Sequence, residues 1–185
     1  MKPKILHVYK TASPLTFGGV EEVIDNIIDT TNDDYQHTVL CTNHKKFKTI
    51  NLQSNNLVSF KSQFSFSNNP VSIGFHHYLM KYSKCYDLVH FHFPYPMMDF
   101  HFLMKTPYVI TYHSDLLRSP IITKPYSLLA RNFLRKAKMV IFTSENYFQY
   151  SNFSKFAVET KIIPLTAAAQ AESFLDKTYP IGDYF

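Results

Sequence analysis

The chain has 185 residues, 45% of them hydrophobic and 18% charged, which suits one globular domain with a buried core and excludes a disordered chain. The formal charge is +5, and the excess sits late: residues 1–100 carry a net +1 and residues 101–185 a net +4, around Lys124, Arg131, Arg135, Lys136 and Lys138. A basic region of this kind attracts phosphate or anionic lipid, and it serves equally as a solvated helix face. Cys41 and Cys85 are far apart, each in an apolar setting and with no C-x-x-C pair, so two buried thiols are expected rather than a zinc or redox motif.

Residues 4–9 alternate and are rich in β-formers, which predicts a first strand. This start leaves no room for a signal-peptide core, and no later apolar run is long enough to span a bilayer, so a cytoplasmic location is expected. A loop from Lys10 to Phe17 ends in Gly18-Gly19. Val20, Val23, Ile24, Ile27 and Ile28 then recur at helical spacing, with acids at 21, 22, 25 and 29 on the other face. A buried second strand is read over His37–Thr42.

Residues 43–69 give a weak signal, with short strands at 48–52 and 57–61. A helix over 70–84 is opened by Pro70 in its first turn. Asp87–His92 reads as a buried strand stopped at Phe93-Pro94, followed by a short helix at 96–104. Further elements are a strand ending at Tyr112, a basic helix over 125–136, a strand at Met139–Thr143, a helix at 145–152 and a last strand at Thr160–Leu165. Strands that are continuous apolar runs alternating with helices predict a Rossmann-like α/β fold, a mostly parallel sheet with helices on both faces. The expected division is one domain over 1–165 and a linker or tail over 166–185.

In such a sheet, sites form where strands end. Gly18-Gly19 admits a ligand to the backbone and opens a helix whose N-terminus faces anions, or else marks a tight turn. His113 follows the strand ending at Tyr112 and can donate to a sugar hydroxyl or phosphate oxygen, with Asp115 near enough to orient it; local capping of the strand end accounts for the same residues. Ser144-Glu145 is a third strand end, read either as a helix cap or as a functional hydroxyl and carboxylate. His90 and His92 share one strand face, and with His101 they suggest metal ligation. No carboxylate or further His lies at a convincing spacing, so no metal is expected, and a His facing the cleft is preferred. G-x-G-x-x-G, G-x-S-x-G and P-loop patterns are all missing, which leaves dinucleotide binding and α/β-hydrolase chemistry unsupported.

Six segments in order resemble glycosyltransferase family 4, a retaining group with the GT-B architecture. They are Lys4–Val8, Phe17–Glu21, Tyr86–His92, Pro107–Asp115, Ala137–Glu145 and Lys161–Leu165. The resemblance implies the acceptor-side, N-terminal domain of such an enzyme. It places Gly18 and Gly19 at the interdomain cleft and His113 beside the transferred sugar, with His92, Asp115, Ser144 and Glu145 as further substrate-binding candidates. It implies a nucleotide-sugar as donor substrate, no cofactor and no metal. A second Rossmann domain with a basic pair and an E-x7-E motif would hold the nucleotide, and that domain is expected to be missing here.

The family's usual crossing into the second domain is altered at Thr166–Glu172, which puts the standard interdomain geometry in doubt. The implied function is hexosyl transfer to a polysaccharide or glycolipid, with the nucleotide-binding half either on a second chain or lost by truncation of a longer protein. The alternative is a non-enzymatic remnant that binds glycan, lipid or protein. Helix 125–136, with Leu128, Leu129, Phe133 and Leu134 beside its basic residues, also suits peripheral contact with an anionic membrane; packing on the sheet is the competing account and the favoured one. Nucleic acid is not an expected partner, because no aromatics are interleaved with that charge.

Overall fold

The computed structural model describes residues 1–44, 48–51, 55–66, 68–115 and 120–164. The chain forms β1 (Lys4–Val8), α1 (Gly19–Thr31), β2 (Gln36–Asn43), β3 (Lys48–Asn51), β4 (Asn55–Lys61), β5 (Phe64–Phe66), β6 (Asn69–Val71), α2 (Ile73–Tyr82), β7 (Leu88–Phe93), β8 (Tyr108–Tyr112), α3 (Pro120–Lys136), β9 (Met139–Phe142), α4 (Glu145–Tyr150) and β10 (Thr160–Ile162). The main sheet runs β10-β9-β8-β7-β1-β2-β4-β3. Every neighbouring pair in it is parallel except β3 with β4 at the edge. The expected Rossmann-like sheet is therefore present. Its topology reverses at β1: β2, β4 and β3 build out on one side and β7 to β10 on the other.

Register assigns the two faces. Leu6, Val8, Leu40, Phe91, Tyr108, Tyr112 and Phe142 fall on one side. There Phe60 of β4 meets Tyr78 of α2 at 5.8 Å, Phe91 meets Phe133 of α3 at 5.0 Å, and Phe142 meets Phe148 of α4 at 5.3 Å. The opposite face carries His7, His37, His90 and His92, and Thr31 at the end of α1 bonds His37 there at 3.1 Å. Helices thus cover both faces, as a parallel sheet requires.

Several local expectations change. Pro70 lies in a β5–β6 hairpin and not in the first turn of α2: Ser72 caps that helix by accepting from the Phe75 amide, and Tyr95 donates its hydroxyl to the Pro70 carbonyl at 2.6 Å. Asn68, with φ of 64°, makes the hairpin turn in a conformation Asn tolerates. The helix expected at 96–104 is a 3-10 segment, Asp99–Leu103. The basic helix starts earlier, at Pro120, and its Ala130, Phe133 and Leu134 are buried in the core. Cys41 is buried, but Cys85 is exposed, because it sits on the 3-10 turn at Ser83–Cys85 and not in a strand. The expected tail at 166–185 lies outside the described residues.

The larger core is held by α3. Tyr108 stacks on Phe133 at 5.2 Å and donates its hydroxyl to the Phe133 carbonyl at 2.7 Å. Phe133→Ala should cost about 3–5 kcal/mol of unfolding free energy through the cavity it leaves. Equilibrium urea unfolding measures it, and a loss under about 1 kcal/mol would mean α3 is not the lid of this core.

Candidate functional site at the C-terminal rim of the sheet

Because β9, β8, β7 and β1 are adjacent and parallel, their C-terminal ends lie side by side. Neighbouring strands are about 4.8 Å apart, so Ser144, His113, His92 and the Gly18-Gly19 helix start follow one another along one rim. The rim includes the crevice between β1 and β7, where the strand order reverses and where open α/β sheets bind ligands.

The glycine pair does not make a tight turn. Gly18 is extended, with φ of −174°, and no glycine described has positive φ. What Gly18 provides is room: a Cβ there would lie 2.8 Å from Oε2 of Glu21, while a Cβ on Gly19 would meet nothing. Glu21 is buried, and its carboxylate folds back over the loop, accepting from Thr11 Oγ1 at 2.5 Å and Thr16 Oγ1 at 3.5 Å. The N-terminus of α1 therefore already has its own carboxylate alongside, which opposes a second anion at that place.

His113 is held differently from the sequence-based expectation. Its amide donates to the Phe93 carbonyl at 3.0 Å, which continues the β7–β8 ladder. Its ring partner is His92, at 3.1 Å between Nε2 of His113 and Nδ1 of His92, with the two rings stacked. Asp115 does not orient it. The Asp115 carboxylate accepts from Tyr112 and, at 2.7 Å, from Ser151, and so ties the loop after β8 to the end of α4. Ser144 caps α4 by accepting from the Tyr147 amide at 3.2 Å. Glu145 is exposed and accepts from Gln149 at 2.9 Å, so both have local structural work.

The sequence reading missed His7 and His37. Nε2 of His7 lies 3.0 Å from Nδ1 of His37, and Nδ1 of His7 lies 3.4 Å from Nε2 of His92. His90 stacks on His92 at 4.4 Å and bonds Thr111 at 2.7 Å. Burial, then neighbouring imidazoles, push His7 and His92 well below the ordinary histidine value and His90 down to about 3; burial holds His113 at about 4. Ring nitrogens of His7, His90 and His92 lie within 4.8 Å of one another, a spacing a transition-metal ion could bridge, although those of His7 and His92 are already spent on each other. His101, grouped with His90 and His92 from sequence, instead stacks on His76 of α2 with a 2.8 Å bond, on the other side of the sheet.

A pocket of about 340 Å³ opens beside the rim, at the ends of β1 and β2 under the β5–β6 hairpin. Lys10, Thr11, Thr16, Thr42, Asn43, His44, Ser65 and Asn68 supply its polar lining, and Leu15 and Pro70 an apolar wall. Its size is that of a small-ligand site, and among the described residues its hydroxyl and amide groups beside the Lys10 ammonium suit a polyhydroxyl ligand.

The buried imidazoles set an acid limit on stability. The folded values of His7, His90 and His92 lie below the unfolded value of about 6.5, so their contribution is complete above that pH. It is lost as pH falls from there towards about 3, the value for His90. The unfolding free energy should therefore fall as pH drops through the unfolded histidine value of about 6.5, each ring kept neutral by the fold adding to the loss. Urea midpoints at neutral and mildly acid pH measure this, and a midpoint unchanged to about pH 5 would mean the rings are not held neutral.

Residues 17–151 match the model of Glycosyltransferase Family 4. The O-antigen chain mannosyltransferase C of Escherichia coli is 28% identical over 177 residues, 87% of this chain and 45% of that protein. The D-rhamnosyltransferase WbpZ of Pseudomonas aeruginosa is 28% identical over 168 residues, 86% of this chain and 44% of that protein. The chain thus spans under half the length of the curated relatives it matches. A sucrose-phosphate synthase structure from Thermosynechococcus elongatus superposes with a TM-score of 0.56 at 16% identity, over 93% of this chain and 94% of that one. The trehalose-6-phosphate synthase OtsA gives 0.53 at 11% identity, over 88% of this chain and 49% of that one, and both likenesses speak to fold alone. With the sheet order, the rim and the family match in agreement, the chain belongs to glycosyltransferase family 4.

Proposed function

We propose that this chain forms the acceptor-side wall of a retaining glycosyl-transfer site that builds a polysaccharide or glycolipid from a nucleotide-linked hexose. The observation that carries the reading is the alignment of the α1 start, His92, His113 and Ser144 on one rim, with the Lys10 pocket beside it. In this arrangement the pocket takes the acceptor and His113 lies next to the transferred sugar. Mannosyl and D-rhamnosyl transfer by the two relatives supports a hexose or deoxyhexose as the group moved.

Departure of a nucleoside diphosphate needs charge stabilisation, usually the largest catalytic contribution. Among the described residues of the rim, Glu21 at the α1 start and the neutral imidazoles supply none. Turnover on this proposal therefore requires a second unit that grips the diphosphate, whether on the same polypeptide or another. No helix among the described residues is long and apolar enough to cross a membrane. The apolar side of α3 is consumed by the core, leaving Leu128 exposed among Arg131, Arg135 and Lys136, so a peripheral cytoplasmic role at an anionic surface would rest on charge.

Calorimetric titration of the chain with a mannose oligosaccharide should release heat, and Lys10→Ala should weaken that binding about tenfold. The chain alone should not turn over nucleotide-linked mannose. Turnover by the isolated chain would refute the need for a second unit. Binding of a protein or lipid with no response to any sugar would favour a non-enzymatic module.

A further inference from the structure

The imidazole chain has a direction. Thr31 donates its single hydroxyl proton to the Ile27 carbonyl at 2.5 Å, so towards His37 Nε2, 3.1 Å away, its oxygen can only accept. His37 Nε2 therefore carries the hydrogen, and in a neutral ring Nδ1 is bare.

The rest follows link by link. Bare Nδ1 of His37 accepts from Nε2–H of His7 at 3.0 Å, and bare Nδ1 of His7 accepts from Nε2–H of His92 at 3.4 Å. Bare Nδ1 of His92 accepts from Nε2–H of His113 at 3.1 Å. The opposite polarity would set a lone pair of His37 against a Thr31 oxygen whose hydrogen is already committed. A misdirected buried polar contact of that kind costs about 1–3 kcal/mol.

We propose that this chain fixes His113 as the Nε2–H tautomer and leaves Nδ1 as a bare acceptor on the rim, so that the ligand group recognised there is a hydroxyl or amide donor and not a phosphate or carboxylate oxygen. Among the described residues nothing else bonds that Nδ1, and the ring is only part-buried. Accepting an anion would require a second proton on the ring, which burial disfavours at neutral pH. The sequence suggested that His113 could donate to a sugar hydroxyl or a phosphate oxygen; the geometry narrows this to accepting from a hydroxyl. His37, His7 and His92 are then positioning residues, since they act only through His113. The tautomer stands on the structure alone, while the identity of the donor as a sugar hydroxyl rests on the function proposed above.

Long-range proton–nitrogen NMR of the nitrogen-15-labelled full chain at about pH 7 reads each ring directly, because the protonated and bare imidazole nitrogens differ. The expected result is Nε2–H on His37, His7, His92 and His113, with His113 Nδ1 bare. In His7→Phe, which keeps a ring but breaks the relay, His92 and His113 should become tautomer mixtures while the β8 amide signals stay in place. If that variant does not fold, the wild-type spectrum still decides. Nδ1–H on His113, or a tautomer mixture there in the wild type, overturns the proposal. So does added inorganic phosphate if it protonates that nitrogen. If the tautomers hold and neither free mannose nor a mannose oligosaccharide moves Nδ1, the tautomer assignment stands and the placing of a transferred sugar beside His113 is what fails.

Discussion

The parallel pairing of β1 on both its edges is the constraint on which the rest of this structure depends. Ile5 sits opposite His37 on one side and Leu88 on the other, and every residue along the strand inherits its face from that register. Because side chains alternate with a period of two, a slip of one residue would exchange the faces. Leu6 and Val8 would then meet α1, and His7 would be driven into the aromatic core on the α3 side. The observed register keeps the aromatic layer whole and gathers the histidines on one side.

Gathering them carries a cost. His7 and His92 are fully buried, and a buried polar ring is tolerated only if its nitrogens are paired. Each imidazole meets that demand with another imidazole, and the run closes on Thr31, whose hydroxyl turns back to its own helix. Satisfying the core and orienting the rim are thus one and the same arrangement. The hydrogen bonds that make the interior acceptable also determine which nitrogen of His113 is left for a ligand.

The α1 start illustrates a parallel economy. A helix N-terminus after a glycine pair is a ready anion site in general, yet here Glu21 occupies that electrostatic niche and is held by Thr11 and Thr16. Among the described residues the rim offers acceptors and neutral donors, and Lys10 lies to one side in the pocket.

Sequence by itself determined the architecture: continuous apolar strands alternating with helices admit few arrangements besides a covered parallel sheet. It also marked the helix start at Gly18 and the strand ends at His113 and Ser144, because a motif next to an element's terminus is a local property. What a local pattern cannot carry is pairing. His7, His37 and His92 are separated by long stretches of chain, and only the register of β1 with β2 and β7 makes them neighbours. For the same reason Asp115, next to His113 in sequence but turned to Tyr112 and Ser151, was a misleading partner, and His101 belonged to the opposite face. The direction of the imidazole chain was decided last of all, by one threonine proton at the end of α1, because hydrogen bonds across a sheet are specified in three dimensions and leave no spacing to read.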